Sequence, residues 1–168
     1  SCRKDTSYKM QKKTVQKVIR DKTYDFKITV AVCDECGEEM DIPGLLDANI
    51  KSIDEQYRQI EGLVSIDDIQ KIMDIYNIGK APLSMALGFG EITITRYLAG
   101  QMPSKEYSDI IKKALSSPNY MMKLLNENME KMGETAYKKA IKAAEEIAGL
   151  VEGCERIGAC AGLGVQVK

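Results

Sequence analysis

Two short stretches hold most of the residues able to do chemistry. The first is "CDECGEE", Cys33 to Glu39, in which Cys33 and Cys36 are spaced CxxC and followed by glycine. That spacing makes a tight knuckle that points two thiolates at one metal ion. Cys2 lies upstream, across a stretch that reads as a hairpin, and can supply a third sulfur. A tetrahedral structural zinc takes four ligands. The fourth is expected from a cysteine three residues before Cys2, outside this chain, with Cys154 and Cys160 as poor substitutes from a remote segment. The expectation is one structural zinc per chain on Cys2, Cys33 and Cys36. A thioredoxin-like dithiol is the rival, but it needs a βαβ setting that a hairpin does not provide. Inert thiols are the third reading.

The chain contains no histidine. Ser/His and Cys/His catalytic pairs are therefore excluded, together with the commonest metal ligand. No paired-carboxylate motif marks a cleft either, so no catalytic residue is assigned and no enzyme is expected. Five cysteines, an odd number behind a polar and basic N-terminus with no apolar signal region, argue for thiols or metal ligands rather than a disulfide framework.

The second stretch is "LGFGEITITRYLAGQMPS", Leu87 to Ser104. Ile92, Ile94 and the intervening threonines alternate like a strand, whereas Gly88, Gly90, Gly100 and Pro103 are punctuation. Two short helices about a turn, "KAPLSMALG" and "FGEITITRYLAG", reconcile the two signals. Gly88 supplies the left-handed residue at the corner, and Gly100 and Pro103 end the second helix. Ile94 and Tyr97 then face a core, leaving Glu91, Ile92, Thr95 and Arg96 on the other side of a recognition helix running from Glu91 to Ala99.

Arg96 suits a guanine edge, Glu91 can accept from cytosine or orient Arg96, and Ile92 or Thr93 can touch a thymine methyl. Lys80, Gln101 and Ser104 sit at the ends of the motif, where phosphate contacts fix register. A phosphate loop is a poor rival, since neither GxGxxG nor GxxxxGK[ST] occurs. A helical hairpin that only packs is a better one, because residues 62–118 carry six basic and six acidic side chains, a weak electrostatic footprint for DNA.

These two stretches imply a chain of two parts. Residues 14–32 read as two strands about a polar turn at Arg20 to Thr23, with Tyr24, Phe26, Ile28, Val30 and Val32 as the inward face. "DIPGLLD" reads as a linker, and everything beyond it as helical. Ile50, Ile53, Tyr57 and Ile60 form one helical stripe. Ser65 caps a helix carrying Ile66, Ile69, Ile72, Met73 and Tyr76, closed by Gly79. Ser104 caps the next, with Tyr107, Ile110, Ile111 and Ala114 inward. Ser117-Pro118 restarts the chain, and a last helix runs from about Glu134 to Ala148.

The expected fold is α+β: a zinc-ribbon-like hairpin domain over 1–42, a linker and connecting helix over 43–62, and an all-α helix-turn-helix domain over 63–118. C-terminal helices follow over 119–148, then a loose glycine-rich tail over 149–168. Methionines 121, 122, 129 and 132 read as helix packing, with a groove for a partner as the lesser alternative.

Charge follows the same division. Residues 1–32 carry nine basic and three acidic side chains, net +6; residues 33–76 carry three and twelve, net −9. Nucleic-acid contact must then be local rather than driven by overall charge. No apolar run reaches the roughly 18 residues of a membrane span, so a soluble, cytoplasmic protein without membrane contact is expected.

The segment from Ser65 to Leu115 resembles the helix-turn-helix of phage-type repressors. With the basic head, the CxxCGE knuckle and the "DI" linker, the stretch from Cys2 to Leu125 resembles the MqsA-type (YgiT-type) zinc-finger/helix-turn-helix antitoxins. It is closest to the branch in which "YNIGKAPLSMALGFGEITITRYLAGQMPSKEYSDII" runs into helices preceding a Panacea-type domain. The resemblance implies a dimeric, DNA-binding antitoxin of a type II toxin-antitoxin system that represses its own operon and neutralises a cognate toxin. A protein-interaction module without sequence-specific DNA binding is the alternative. The apolar faces of the helices between Ser104 and Ala148 are the expected dimer seam.

Overall fold

The structure is a computed structural model that describes residues 6–157, the last seven as helical backbone. It is α+β: a three-stranded antiparallel sheet followed by seven α-helices. The chain divides into two compact units, the first ending at Glu61 and the second beginning at Gly62.

In the first unit, β1 (Tyr8–Ile19) and β2 (Lys22–Cys33) form a long hairpin in unbroken register from Tyr8↔Cys33 to Ile19↔Lys22. Arg20 and Asp21, at φ 49° and 63°, make its two-residue turn, and this left-handed pair matches the strands' own twist. β1 begins six residues before the expected Thr14. Its lysine-rich start, "YKMQKK", hides the strand signal, because nearly the whole of β1 is exposed and lysines suit an open sheet edge. β3 (Glu39–Met40) pairs with Ala31 and Val32 on the other side of β2.

The inward face of β2 differs from the expected one. Tyr24 and Phe26 are buried, but Ile28, Val30 and Val32 are only half-buried, and Ala31 and Cys33 are buried on the opposite face. The register holds throughout, so the strand has not slipped. Different neighbours cover its two ends instead.

The covering element at the Tyr24 end is α1 (Leu45–Ile60), which follows Gly44 at φ 79°. It is no mere connector within 43–62, for it packs on β2 inside the first unit. Tyr57 meets the Tyr24 ring edge-on at 5.3 Å, and the Tyr24 hydroxyl donates to Glu61 Oε1 at 2.8 Å. Burial and that carboxylate push the Tyr24 phenol up to about 12.

Two amide side chains of α1 pair with the open edge of β2. Gln56 accepts from Lys27 N–H and donates to Lys27 C=O, both at 2.8 Å. Asn49 does the same to Thr29, at 2.9 and 2.7 Å. Each amide presents a donor and an acceptor side by side, as a neighbouring peptide would, so α1 satisfies a sheet edge without being a strand. The expected stripe of Ile50, Ile53, Tyr57 and Ile60 is correspondingly not a buried face. Ile50 and Ile60 are exposed and the other two half-buried.

The second unit is built on α2 (Ile66–Ile75), α3 (Lys80–Ala86), α4 (Thr93–Leu98), α5 (Lys105–Ser116), α6 (Pro118–Glu127) and α7 (Glu134–Ile157), with a 3₁₀ turn at Met129–Lys131. Ser65 caps α2 in a full capping box with Asp68. Ser104 and Ser117 cap α5 and α6. Asn77 at φ 47°, rather than Gly79, closes α2. Its N–H reaches Asp74 C=O and Ile78 N–H reaches Met73 C=O, the paired bonds of a Schellman ending.

Ile69, Ile72, Leu83, Ile94, Ile111, Met121 and Leu125 make one fully buried core, with Ala140 and Ala144 of α7 against it. Tyr76 ties α2 to α5 by donating its buried hydroxyl to Ala114 C=O at 3.0 Å.

Two further expectations change here. α7 runs through Gly149 and Gly153 to Ile157, so the segment 149–157 is helix and not loose tail. Glycine inside a helix costs only about 1 kcal/mol relative to alanine, and no proline interrupts this one; residues 158–168 lie outside the described part. The apolar faces between Ser104 and Ala148, expected to form a dimer seam, are spent on the unit's own core: Ile111, Ala114, Met121, Leu125, Ala140 and Ala144 are all fully buried. Of the four methionines, 121 and 132 are buried, 122 packs half-buried and 129 is exposed. Among the described residues no helix is long and apolar enough to cross a membrane.

Candidate nucleic-acid interface

The corner between α3 and α4 is set by backbone hydrogen bonds. α3 ends as Gly88, at φ 75°, donates to Met85 C=O at 3.0 Å and Phe89 N–H donates to Ser84 C=O at 2.8 Å. A Cβ at Gly88 would meet nothing within 4 Å, so glycine is needed there for its backbone angle alone. α4 ends in the same way, with Gly100 at φ 104° bonded to Tyr97 C=O and Gln101 N–H to Arg96 C=O.

Ser84 joins the two helices directly. Its buried hydroxyl oxygen accepts the Ile94 N–H at 3.0 Å. Because α4 follows Ile92 with no side-chain cap, this bond satisfies a first-turn amide that a short helix otherwise leaves open. Asn128, the residue that ends α6, braces the corner by donating to Ala86 C=O at 3.1 Å in the interior. Phe89 in the turn stacks on Tyr107 of α5, ring centroids 4.2 Å apart. Sequence patterning did not single out Ser84 or Asn128, since one buried hydroxyl or amide among apolar neighbours has no periodic signature.

α4 is shorter than the expected span from Glu91 to Ala99. Glu91 and Ile92 lie in the turn, where Gly90 C=O accepts the Thr93 N–H at 2.9 Å. Ile94 and Tyr97 are buried, and Glu91, Ile92, Thr95 and Arg96 are exposed. Positions 92, 95, 96 and 99 fall at i, i+3, i+4 and i+7, one side of the helical cylinder. Thr93 is half-buried, while Lys80, at the start of α3, is exposed. Gln101 and Ser104 follow α4 and are exposed, the Ser104 oxygen being occupied as acceptor from Tyr107 N–H at 3.2 Å. Among the described residues Arg96 makes no side-chain hydrogen bond or ion pair, with Glu91 or any other group.

The cysteine knuckle belongs to the first unit. Cys33 N–H bonds Glu38 C=O at 2.9 Å and Gly37, at φ 73°, donates to Cys33 C=O at 3.0 Å, which curls the chain around the Cys33 sulfur. The Thr6 hydroxyl lies 3.4 Å from that sulfur. Thr6 first, then the Cys36 and Glu35 amides, favour the thiolate and hold Cys33 down at about 6, against the opposing effect of burial. Cys33 is buried and Cys36 exposed. A low thiol and its CxxC neighbour fit a zinc-type ion as two of its ligands. Cys2 and Cys160 lie outside the described residues. Among those described, no three cysteine, histidine or carboxylate side chains gather as a metal site.

No protein-family model matches this sequence, and a search of curated proteins finds no match.

Proposed function

We propose that this protein is a DNA-binding transcriptional repressor that also serves as the antitoxin of a toxin-antitoxin pair. It reads operator DNA as a homodimer through α3 and α4, engages a toxin protein through other surfaces, and acts in the cytoplasm without catalysis. The observation that carries the DNA half is the disposition of α4. Its apolar residues Ile94 and Tyr97 are held inward, while Thr95 and an unpaired Arg96 are exposed beyond a turn carrying Glu91 and Ile92. A short helix held at both ends can enter the major groove as a rigid body, and Arg96 breaks no internal bond to reach a base. Lys80, Gln101 and Ser104 flank it as phosphate contacts.

The antitoxin half rests on the resemblance of the knuckle, linker and helix-turn-helix stretches. In that reading Cys2, Cys33 and Cys36 hold one structural zinc that closes the N-terminal unit. The balanced charge of residues 62–118 favours a second reading, a protein-interaction module without sequence preference.

Selection from a random duplex pool separates the two. A repressor enriches a sequence with two related half-sites about one DNA turn apart. An unenriched pool would leave the interaction module standing.

A further inference from the structure

We propose that Ile92 reads the 5-methyl group of a pyrimidine, that of thymine in unmodified DNA, beside the guanine taken by Arg96. This deepens the DNA reading above and rests on it. Between Ile66 and Leu98, Ile92 is the one large apolar side chain left exposed, at 53%. The other isoleucines, the leucines, the methionines and the aromatic rings there are buried or half-buried. A lone surface isoleucine needs no explanation by itself. Ile92, however, lies one helical turn from Arg96, whose N–H donates to Ile92 C=O at 3.0 Å, and Thr95 and Ala99 on the same side are exposed as well. Of the two residues expected to meet a thymine methyl, Thr93 is half-buried, which leaves Ile92.

What the face lacks narrows the chemistry further. In the major groove an A·T pair presents adenine N6 and N7, which asparagine or glutamine bonds bidentately, thymine O4, and the thymine methyl. Neither asparagine nor glutamine occurs from Glu91 to Ala99. A threonine hydroxyl bonds donors and acceptors alike and discriminates little, and the arginine fork matches guanine O6 and N7. The methyl is therefore the feature by which this face tells an A·T pair from the others.

Ile92 is suited to that contact. Its β-branched side chain is stiff, so little rotamer freedom is lost on burial, and the helix it leads into is held by the Ser84 bond to Ile94 N–H. Side chains four residues apart on a helix have Cβ atoms about 5–6 Å apart, and bases stack about 3.4 Å apart along a strand. Ile92 and Arg96 thus reach edges one or two base pairs apart. An isoleucine side chain makes no hydrogen bond, so it does not distinguish thymine O4 from the cytosine amino group. 5-Methylcytosine satisfies it as thymine does, whereas cytosine and uracil do not.

The test replaces single bases in duplexes enriched from the random pool and measures affinity by fluorescence anisotropy. At a thymine within two base pairs of the guanine whose preference Arg96→Ala relaxes, uracil should weaken binding by about fourfold per half-site, the worth of one buried methyl. In the same place, 5-methylcytosine paired with guanine should bind about fourfold more tightly than cytosine paired with guanine. Uracil outside the half-sites should change nothing, and Ile92→Ala should lose the difference between thymine and uracil. Circular dichroism checks that this variant is folded; if it is not, the base replacements on the parent protein decide alone. The inference is overturned, with the DNA reading intact, by an enriched site with no thymine near that guanine, by uracil bound as tightly as thymine, by cytosine bound as tightly as 5-methylcytosine, or by a folded Ile92→Ala that still prefers thymine. A pool with no enriched sequence overturns both.

Discussion

Ser84 is the residue on which the α3–α4 corner depends most directly. Removing its hydroxyl leaves the Ile94 N–H without its acceptor in the interior. Ser84→Ala is expected to cost about 1–3 kcal/mol, measured by urea denaturation, and to lower DNA affinity only as far as the corner loosens. Cys33 makes the other residue-scale prediction. Its thiol is lowered from 9 to about 6 in the folded chain, and a depressed acid stabilises the fold when ionised. That contribution is complete above the ordinary thiol range and is lost as pH falls through about 6. Ultraviolet thiolate absorbance of metal-free protein should show a folded-state midpoint near 6 for Cys33, absent from Cys33→Ser. A midpoint in the ordinary thiol range would remove the electrostatic account of the knuckle.

At the scale of elements, α1 and β2 form a joint that sequence patterning could not reveal. A hydrophobic stripe announces itself by period, but Asn49 and Gln56 look like any polar surface pair until β2 lies beside them. Hydrogen exchange should read the joint bond by bond. Gln56→Ala should expose the Lys27 amide to exchange while leaving Thr29 protected, and Asn49→Ala should do the reverse. Equal loss at both amides in each variant would mean that α1 detaches as a whole. The lysines of β1 and the glycines of α7 misled in a similar way, because an edge strand tolerates charge and a helix tolerates isolated glycine. The alternation of Ile92, Thr93, Ile94 and Thr95 belongs with them: β-propensity was overruled by two glycine-closed helix ends, and those glycines were readable from the sequence.

For the molecule as a whole, the division into a sheet unit and a helical unit was legible because periodicity changes from two to about four residues near Pro43 and Gly44. The exact cut was not, since α1 has a helical pattern yet packs with the strands. Of the candidate interface, the inward pair Ile94 and Tyr97 and the exposed Arg96 were legible from spacing alone, whereas the bonds that hold them, from Ser84 and Asn128, were not.

Whether that exposed face reads DNA is tested most directly by fluorescence anisotropy on the gene's own upstream duplex, taken over a salt series. The parent should bind that duplex more tightly than a scrambled one. Arg96→Ala should weaken specific binding by about 1–3 kcal/mol and relax preference at one base position. Lys80→Ala should weaken both duplexes alike and reduce the salt slope by about 1. An Arg96→Ala protein that binds as tightly and as selectively as the parent would contradict the recognition-helix reading.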